Sequence, residues 1–378
     1  MVTKVSSATL RRMAPETAEE YTVRWFDPAD RQPFLDLYAD TFGGGSDEWF
    51  QWKYVDNPRV AHVPILVATA DGEFAGARAQ VPFLMRAGGE NVLAMRFGDT
   101  MVHPDHRRRG VFSRLTERAL EHYGEMPVQF CYNVPNDLSR PGFLKAGGEV
   151  VANLPSFYRV QRPSALATGA DLPISLAARA AAPAARAYLR GRDRLASVPE
   201  GVNVIEHAEI PAPLLARLYR RGRPSSVHAV RDEPFLEWRY CNPDWEYQAF
   251  SASSGGRTEA AVVTGTRTDE DGVTTTHVVD VLPLASSDRR DTALRSLLAA
   301  VTSAFRDSDL LAYCGTAIPR SLLAAHGFQF DGEFPLSQVT SPTKLVAYDV
   351  GNGDWSVGGV DIADPRGWAL SDVELDAR

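Results

Sequence analysis

This chain contains one pattern twice. The run Asp47-Glu48-Trp49-Phe50-Gln51-Trp52-Lys53-Tyr54-Val55-Asp56-Asn57-Pro58 is echoed by Asp232-Glu233-Pro234-Phe235-Leu236-Glu237-Trp238-Arg239-Tyr240-Cys241-Asn242-Pro243. Asp, Glu, Phe, Trp, Tyr, Asn and Pro recur in the same order, and Lys53 is matched in charge by Arg239. Each copy leads into an extended stretch (63–70 and 247–253), a turn, and a second extended stretch (74–83 and 257–264). A duplication of a whole domain accounts for this order, so whatever the first half folds into, the second must fold into as well.

The echo continues. Thr100-Met101-Val102-His103-Pro104 corresponds to Val279-Asp280-Val281-Leu282-Pro283, and each strand runs into a helical pattern. Leu115, Ala119, Leu120 and Tyr123 recur at helical spacing in the first copy, as Leu294, Leu297, Leu298, Val301 and Phe305 do in the second. A short apolar strand follows (128–132 and 310–314), then a helix stopped by glycine at Gly147-Gly148 and at Gly327. This order predicts an α/β fold built from two domains, each a mixed, largely antiparallel twisted sheet flanked by helices. The 378 residues suit that division. The expected boundaries are an N-terminal extension (1–20), a first domain (21–162), an Ala- and Arg-rich helical linker (163–201), a second domain (202–348) and a C-terminal tail (349–378), docked or not. The aromatic echo, at helical spacing, reads as core and domain packing.

With 40 Lys and Arg against 48 Asp and Glu, the net charge of −8 gives no reason to expect a nucleic-acid partner. Cys131, Cys241 and Cys314 lie far apart without CxxC spacing, which suggests core thiols in a reducing compartment and no metal site. Residues 1–20 lack the apolar stretch of a secretory signal, and no run approaches ~18 apolar residues. The expectation is a cytoplasmic protein without a membrane partner.

The stretch most informative about function is Phe97 to Ser113, Phe-Gly-Asp-Thr-Met-Val-His-Pro-Asp-His-Arg-Arg-Arg-Gly-Val-Phe-Ser, followed by an amphipathic run to Tyr123. A strand, an Arg-rich turn ending in Gly110 and an immediate helix make an anion site from backbone amides. Arg107-Arg108-Arg109-Gly110-Val111-Phe112, with Val102-His103-Pro104 before it, resembles the (Gln/Arg)-x-x-Gly-x-(Gly/Ala) loop of the GNAT superfamily, the Gcn5-related N-acetyltransferases. That resemblance implies acetyl-CoA as co-substrate. Its pyrophosphate would meet the backbone of Gly110, Val111, Phe112 and Ser113, with Arg107, Arg108 and Arg109 adding charge. Phe112 departs from the family pattern, which has a small residue there.

The resemblance also matches Asn136 to an Asn that contacts the CoA arm; the residues themselves equally support a helix cap ahead of Asp137-Leu138. Seven positions on, where many relatives carry a Tyr that protonates the departing thiolate, stands Phe143. The implied reaction is attack of a primary amine on the thioester, which needs a base for the ammonium proton. Asp99 is the candidate base, against a structural carboxylate as the other reading; His103 and Glu90 are further candidates. The amide of Val102 or Met101 would face the oxyanion. In the second copy, Ser286 to Asp291 has no glycine and carries two carboxylates, so cofactor binding is expected only in the first half.

These readings converge on a tandem, CoA-dependent acyltransferase, an N-acetyltransferase acting through its first domain on an unidentified amine, as a monomer or homodimer. Two alternatives stand beside it: a non-catalytic acyl-CoA-binding regulator, and an aminoacyl-tRNA-dependent transferase of the tandem-GNAT peptidoglycan type.

Overall fold

The computed structural model describes residues 21–163, 172–196, 198–338, 340–351 and 353–375. The predicted N-terminal extension lies outside them. In chain order the first half has β1 (Tyr21–Trp25), α1 (Arg31–Phe42), α2 (Asp47–Phe50, continuing as a π-helical turn Gln51–Val55), β2 (Ile65–Ala70), β3 (Glu73–Ala87), β4 (Glu90–Val102), α3 (Val111–Gly124), β5 (Val128–Asn133), α4 (Arg140–Lys145), β6 (Glu149–Leu154) and β7 (Ser156–Val160). The linker contains α5 (Leu172–Leu195). The second half has β8 (Val202–His207), α6 (Ala212–Arg221), β9 (His228–Ala229), α7 (Glu233–Arg239), β10 (Glu246–Ser254), β11 (Arg257–Thr268), β12 (Thr274–Leu282), α8 (Asp288–Ala304), β13 (Leu310–Cys314), α9 (Arg320–Ala325), β14 (Gln329–Phe330) and β15 (Thr343–Asp349).

Local chemistry explains why the repeated run is helical twice. Ser46 caps α2 by accepting from Trp49 N, and Asp232 caps α7 by accepting from Phe235 N, in each case with acidic residues in the first turn. The apolar residues behind these caps, Trp49 and Phe50 in one copy and Phe235 and Leu236 in the other, are buried.

The two sheets have the same plan. The first runs β1-β2-β3-β4-β5-β15-β6 and the second β8-β10-β11-β12-β13-β7-β14. In each, the fourth and fifth strands are parallel (β4 with β5, β12 with β13) and the other neighbours antiparallel. The halves have exchanged a strand. β7 leaves β6 after the single residue Pro155 and pairs in the second sheet with β13 and β14, while β15 returns to the first sheet between β5 and β6. Boundaries drawn at 162 and 348 therefore cut across both sheets: residues 156–160 belong spatially to the second body and 343–349 to the first.

Three buried clusters hold this together. One lies between the first sheet and α3, one between the second sheet and α8. The third and largest draws on α1, α2, β3, β5 and β6 from one half, on α6, α7 and β12 from the other, and on Val373 beyond β15. The chain after β15 is docked as far as Leu375. Cys131 and Cys314 are buried, but Cys241 is exposed at the end of α7, which corrects the expectation of three core thiols. Among the described residues no helix is long and apolar enough to cross a membrane.

Candidate functional site

A parallel pair that stops pairing leaves a V-shaped opening at a sheet's centre. β4 and β5 hydrogen-bond only from Leu93/Val128 to Arg96/Tyr132. Beyond that, Phe97 to Val102 keep β3 on one side and lose β5 on the other. The opening is a cavity of about 470 Å³. Its walls are Arg96–Thr100 of β4, Asn133–Asp137 after β5, Arg140 and Phe143 of α4, Pro342–Lys344 entering β15, and Asp372 and Leu375 near the C-terminal end. Both halves thus line it.

The strand alternation decides which amides face the opening. His103 N–H donates to Ala75 O at 2.9 Å across β3. Met101, two residues back, turns the same way, which leaves Val102 with its amide on the open edge. Past Val102 the chain makes a single helical turn, Pro104–His106, and enters the Arg-rich loop. Arg107 is extended and its Nε donates to Val102 O at 3.2 Å. Arg108 has φ +62° and Gly110 φ +83°, so the turn needs two left-handed residues and glycine supplies one without strain. A Cβ at Gly110 would meet nothing within 4 Å, so this position opens outward. Arg107, Arg108 and Arg109 are exposed; Val111 is buried, Phe112 and Ser113 half-buried.

α3 has 14 residues and no acidic residue in its first turn. Its first intrahelical donor is Arg114, bonding Gly110 O at 3.1 Å. The amides of Val111, Phe112 and Ser113 come before it and point beyond the helix end, the geometry and dipole that attract an anion. Asn136 is exposed on the cavity rim, and its Oδ1 accepts from Ser139 N and Ser139 Oγ, both at 2.9 Å. It therefore fixes the turn into α4 while facing the opening.

Asp99 lies on the cavity wall in a β-bulge, with φ +32° and the β3 register shifting beside it. Its Oδ2 accepts from Lys53 Nζ at 2.6 Å and from Tyr54 Oη. The side chains of Lys53 and Asp99 are 3% and 0% exposed, and Lys53 Nζ also rests 4.7 Å from the Trp49 ring centroid. The π-helical turn after α2 thus delivers a cation and a hydroxyl to the bulge. Sequence reasoning missed both partners, although a charge kept at the same place in two aromatic-rich copies was a usable signal. Glu90 begins β4 at its exposed far end, nine residues and about 30 Å of strand from Asp99. His103 caps the turn after β4, accepting from Asp105 N at 3.4 Å.

In the second half the corresponding opening is filled. β12 and β13 pair only from Thr275/Leu310 to His277/Ala312, and the C-terminal segment enters where they part. Ser371 bridges to Gly315, and Cys314 N donates to Asp372 Oδ2 at 3.2 Å. Glu374 and Asp280 enclose Arg231, all three side chains fully buried. Tyr240 Oη donates to Asp280 at 3.3 Å, as Tyr54 does to Asp99 in the first half. At the α8 N-terminus Ser287 accepts from Arg290 N, and Asp288 and Asp291 occupy the first turn. Capping, negative charge and the inserted segment each disfavour an anionic ligand there.

Fold and site together define an α/β protein of two like-built sheets, in which the first carries an open cleft between β4 and β5. Residues 22–148 match the model of the acetyltransferase (GNAT) domain family. The chain is similar in fold to a GCN5-related N-acetyltransferase from Anabaena variabilis (11% identity, 88% of this chain and 73% of that one, TM-score 0.59) and to a probable N-acyltransferase from Enterococcus faecalis (12%, 88% and 73%, 0.61). Eis1 from Mycobacterium abscessus is similar at 15% identity over 88% of this chain and 74% of that one, with a TM-score of 0.51. No curated protein sequence matches the chain significantly.

Proposed function

We propose that this protein transfers an acyl group, acetyl in the simplest case, from acyl-CoA to a primary amine in the cleft between β4 and β5. The observation that carries this reading is the turn Arg107–Ser113, which brings three arginines and the first amides of α3 to the end of β4, with the Phe112 ring 5.1 Å from that of Phe143 in the cavity wall. Acetyl-CoA, when bound, supplies a thioester that an amine can attack. Gly110, Val111, Phe112 and Ser113 would hold the pyrophosphate through backbone amides, Arg107, Arg108 and Arg109 through charge, and Asn136 the arm that runs towards the bulge.

Three jobs fall to the chain's own residues. Asp99 takes the proton that an alkylammonium must lose at neutral pH, with Lys53 and Tyr54 fixing the carboxylate in place. The Val102 amide, on the open edge of β4, donates to the carbonyl oxygen as negative charge develops there. Asp372 and Leu375, brought in by the second half, shape the acceptor side of the cavity.

Calorimetric titration with acetyl-CoA, followed by thiol-release assays on pooled amines, tests this. Binding that Gly110→Glu abolishes, with thiol release that depends on an amine, is expected. Binding without release from any amine would make the protein an acyl-CoA sensor; binding of aminoacyl-tRNA without acetyl-CoA would replace the donor.

A further inference from the structure

Among the described residues Arg78 is a buried cation without an anion. It stands on β3 opposite Thr100, with a side chain 0% exposed on the sheet face covered by α3. Its Nη1 donates to Thr116 Oγ1 of α3 at 2.8 Å, while Nε and Nη2 have no partner among the described residues. No carboxylate pairs with it there. Three rings surround it instead: the guanidinium carbon is 4.1 Å from the Phe97 centroid, 4.9 Å from that of Phe143 and 5.9 Å from that of Phe112.

The titratable groups facing it are Tyr123 of α3, Cys131 of β5 and Tyr348 of β15. Burial raises all three, so they stay neutral. Burial lowers the Arg78 guanidinium to about 10, which leaves it charged at neutral pH. An apolar side chain of similar volume would fill this place at lower cost. Stability therefore does not explain the charge.

Phe97 and Phe143 are also walls of the cavity, so the guanidinium lies one aromatic layer behind it. On the cavity's own lining the carboxylates of Asp99, Asp137 and Asp372 are matched in number by Arg96, Arg140 and Lys344. The charge of Arg78 is left over.

We propose that Arg78 stabilises the thiolate that departs during acyl transfer, its charge acting at long range from behind Phe97 and Phe143 as a positioning charge. This rests on the acyl-CoA reading above. As the amine nitrogen bonds to the carbonyl carbon, the carbon–sulfur bond breaks and its electron pair leaves on sulfur; the amine's proton passes to Asp99 and then to solvent. Phe143 has no hydroxyl to hand that sulfur a proton. A fixed cation in low dielectric lowers the cost of the thiolate instead, and the sulfur takes its proton from water after release.

The test titrates the thiol of enzyme-bound coenzyme A by thiolate ultraviolet absorbance. In the wild type the bound thiol is expected to titrate about one unit below the free value of about 8.5, a tenfold gain in acidity. Arg78→Met should abolish the shift and lower kcat about tenfold, with KM for acetyl-CoA within about twofold; Arg78→Lys should keep part of both. An unshifted thiol in the wild type overturns the proposal alone, as does a shift that Arg78→Met leaves intact. If melting shows that Arg78→Met does not fold, the wild-type and Arg78→Lys titrations decide. Failure of the wild type to bind coenzyme A by calorimetry overturns the acyl-CoA reading and this proposal with it.

Discussion

Trp52 and Trp238, equivalent residues of the two copies, hydrogen-bond to each other's backbone: each indole Nε1–H donates to the other's carbonyl at 2.7 Å. Their rings stack at 5.5 Å and 15°. The pair marks a local two-fold axis at the centre of the shared core, where the two halves meet through identical contacts. Trp52→Phe would remove one of the two hydrogen bonds to the Trp238 carbonyl, which keeps the one from Cys241 N at 3.1 Å, and should cost about 0.5–1.5 kcal/mol. Circular dichroism and tryptophan fluorescence should still report one coincident unfolding transition. Separate transitions for the halves would mean the core is not shared.

Gly110→Ala separates fold from ligand. At φ +83° an alanine costs about 1 kcal/mol, and its methyl meets no protein atom, so the melting temperature should barely move. Coenzyme A affinity should fall at least about tenfold, since the methyl stands where a phosphate approaches. Unchanged affinity by calorimetry would show that the turn is not the pyrophosphate site.

Asp99→Asn would leave the Lys53 ammonium buried without its counterion, a loss of about 3–5 kcal/mol. Activity should drop about 100-fold or more. The informative variant is Asp99→Asn with Lys53→Met, which should regain stability in denaturant melts while thiol release stays low. Recovery of both would reduce Asp99 to a structural carboxylate.

Glu374→Gln weakens the anionic side of the Arg231 cluster and should cost about 3 kcal/mol in urea unfolding. Burial alone would lower the Arg231 pKa, but Asp280 and Glu374 reverse this and hold it above its ordinary value. Because Asp372 and Leu375 line the cavity, KM for the amine should rise more than the Kd for acetyl-CoA. Equal changes in both would count against a role for this segment on the acceptor side.

Two buried histidines set an acid limit. His228 is held near 4 by burial and by Arg231, and His326 near 4 by burial and by Arg159. Both folded values lie below the unfolded value of about 6.5, so the unfolded chain binds more protons as pH falls. Their contribution is complete above pH about 6.5 and is lost progressively towards pH 4. Melting temperatures measured from pH 7.5 to 4.5 should decline over that window, less steeply for His326→Gln; an equal decline would remove His326 from the account.

Much of this was legible locally. The duplication, the strand before Gly110 and the helix after it, and the degenerate second turn are short-range patterns, and the sheets follow them. Strand exchange was not, because Ser156–Val160 and Thr343–Asp349 are both short, partly apolar strands that either gap accepts. Their partners are set by the one-residue switch at Pro155 and by long-range packing. The lysine and tyrosine beneath Asp99 were read only as parts of an aromatic run, since nothing local says that a bulge 45 residues later presents a carboxylate. Arg78 went unremarked in Ala75-Gly76-Ala77-Arg78-Ala79, where a lone cation among small residues on a buried strand is the visible cue.

The exchange of β7 and β15 also bears on the order in which the molecule can be made. A ribosome delivers the open cleft, its arginine turn and β6 early, yet the slot between β5 and β6 stays vacant until residue 349 has emerged. Meanwhile β7 waits without a neighbour until β13 arrives. The half that holds the cleft is thus sealed only after most of the second half has been made, and neither half can be released by cutting the linker without taking a stave from the other.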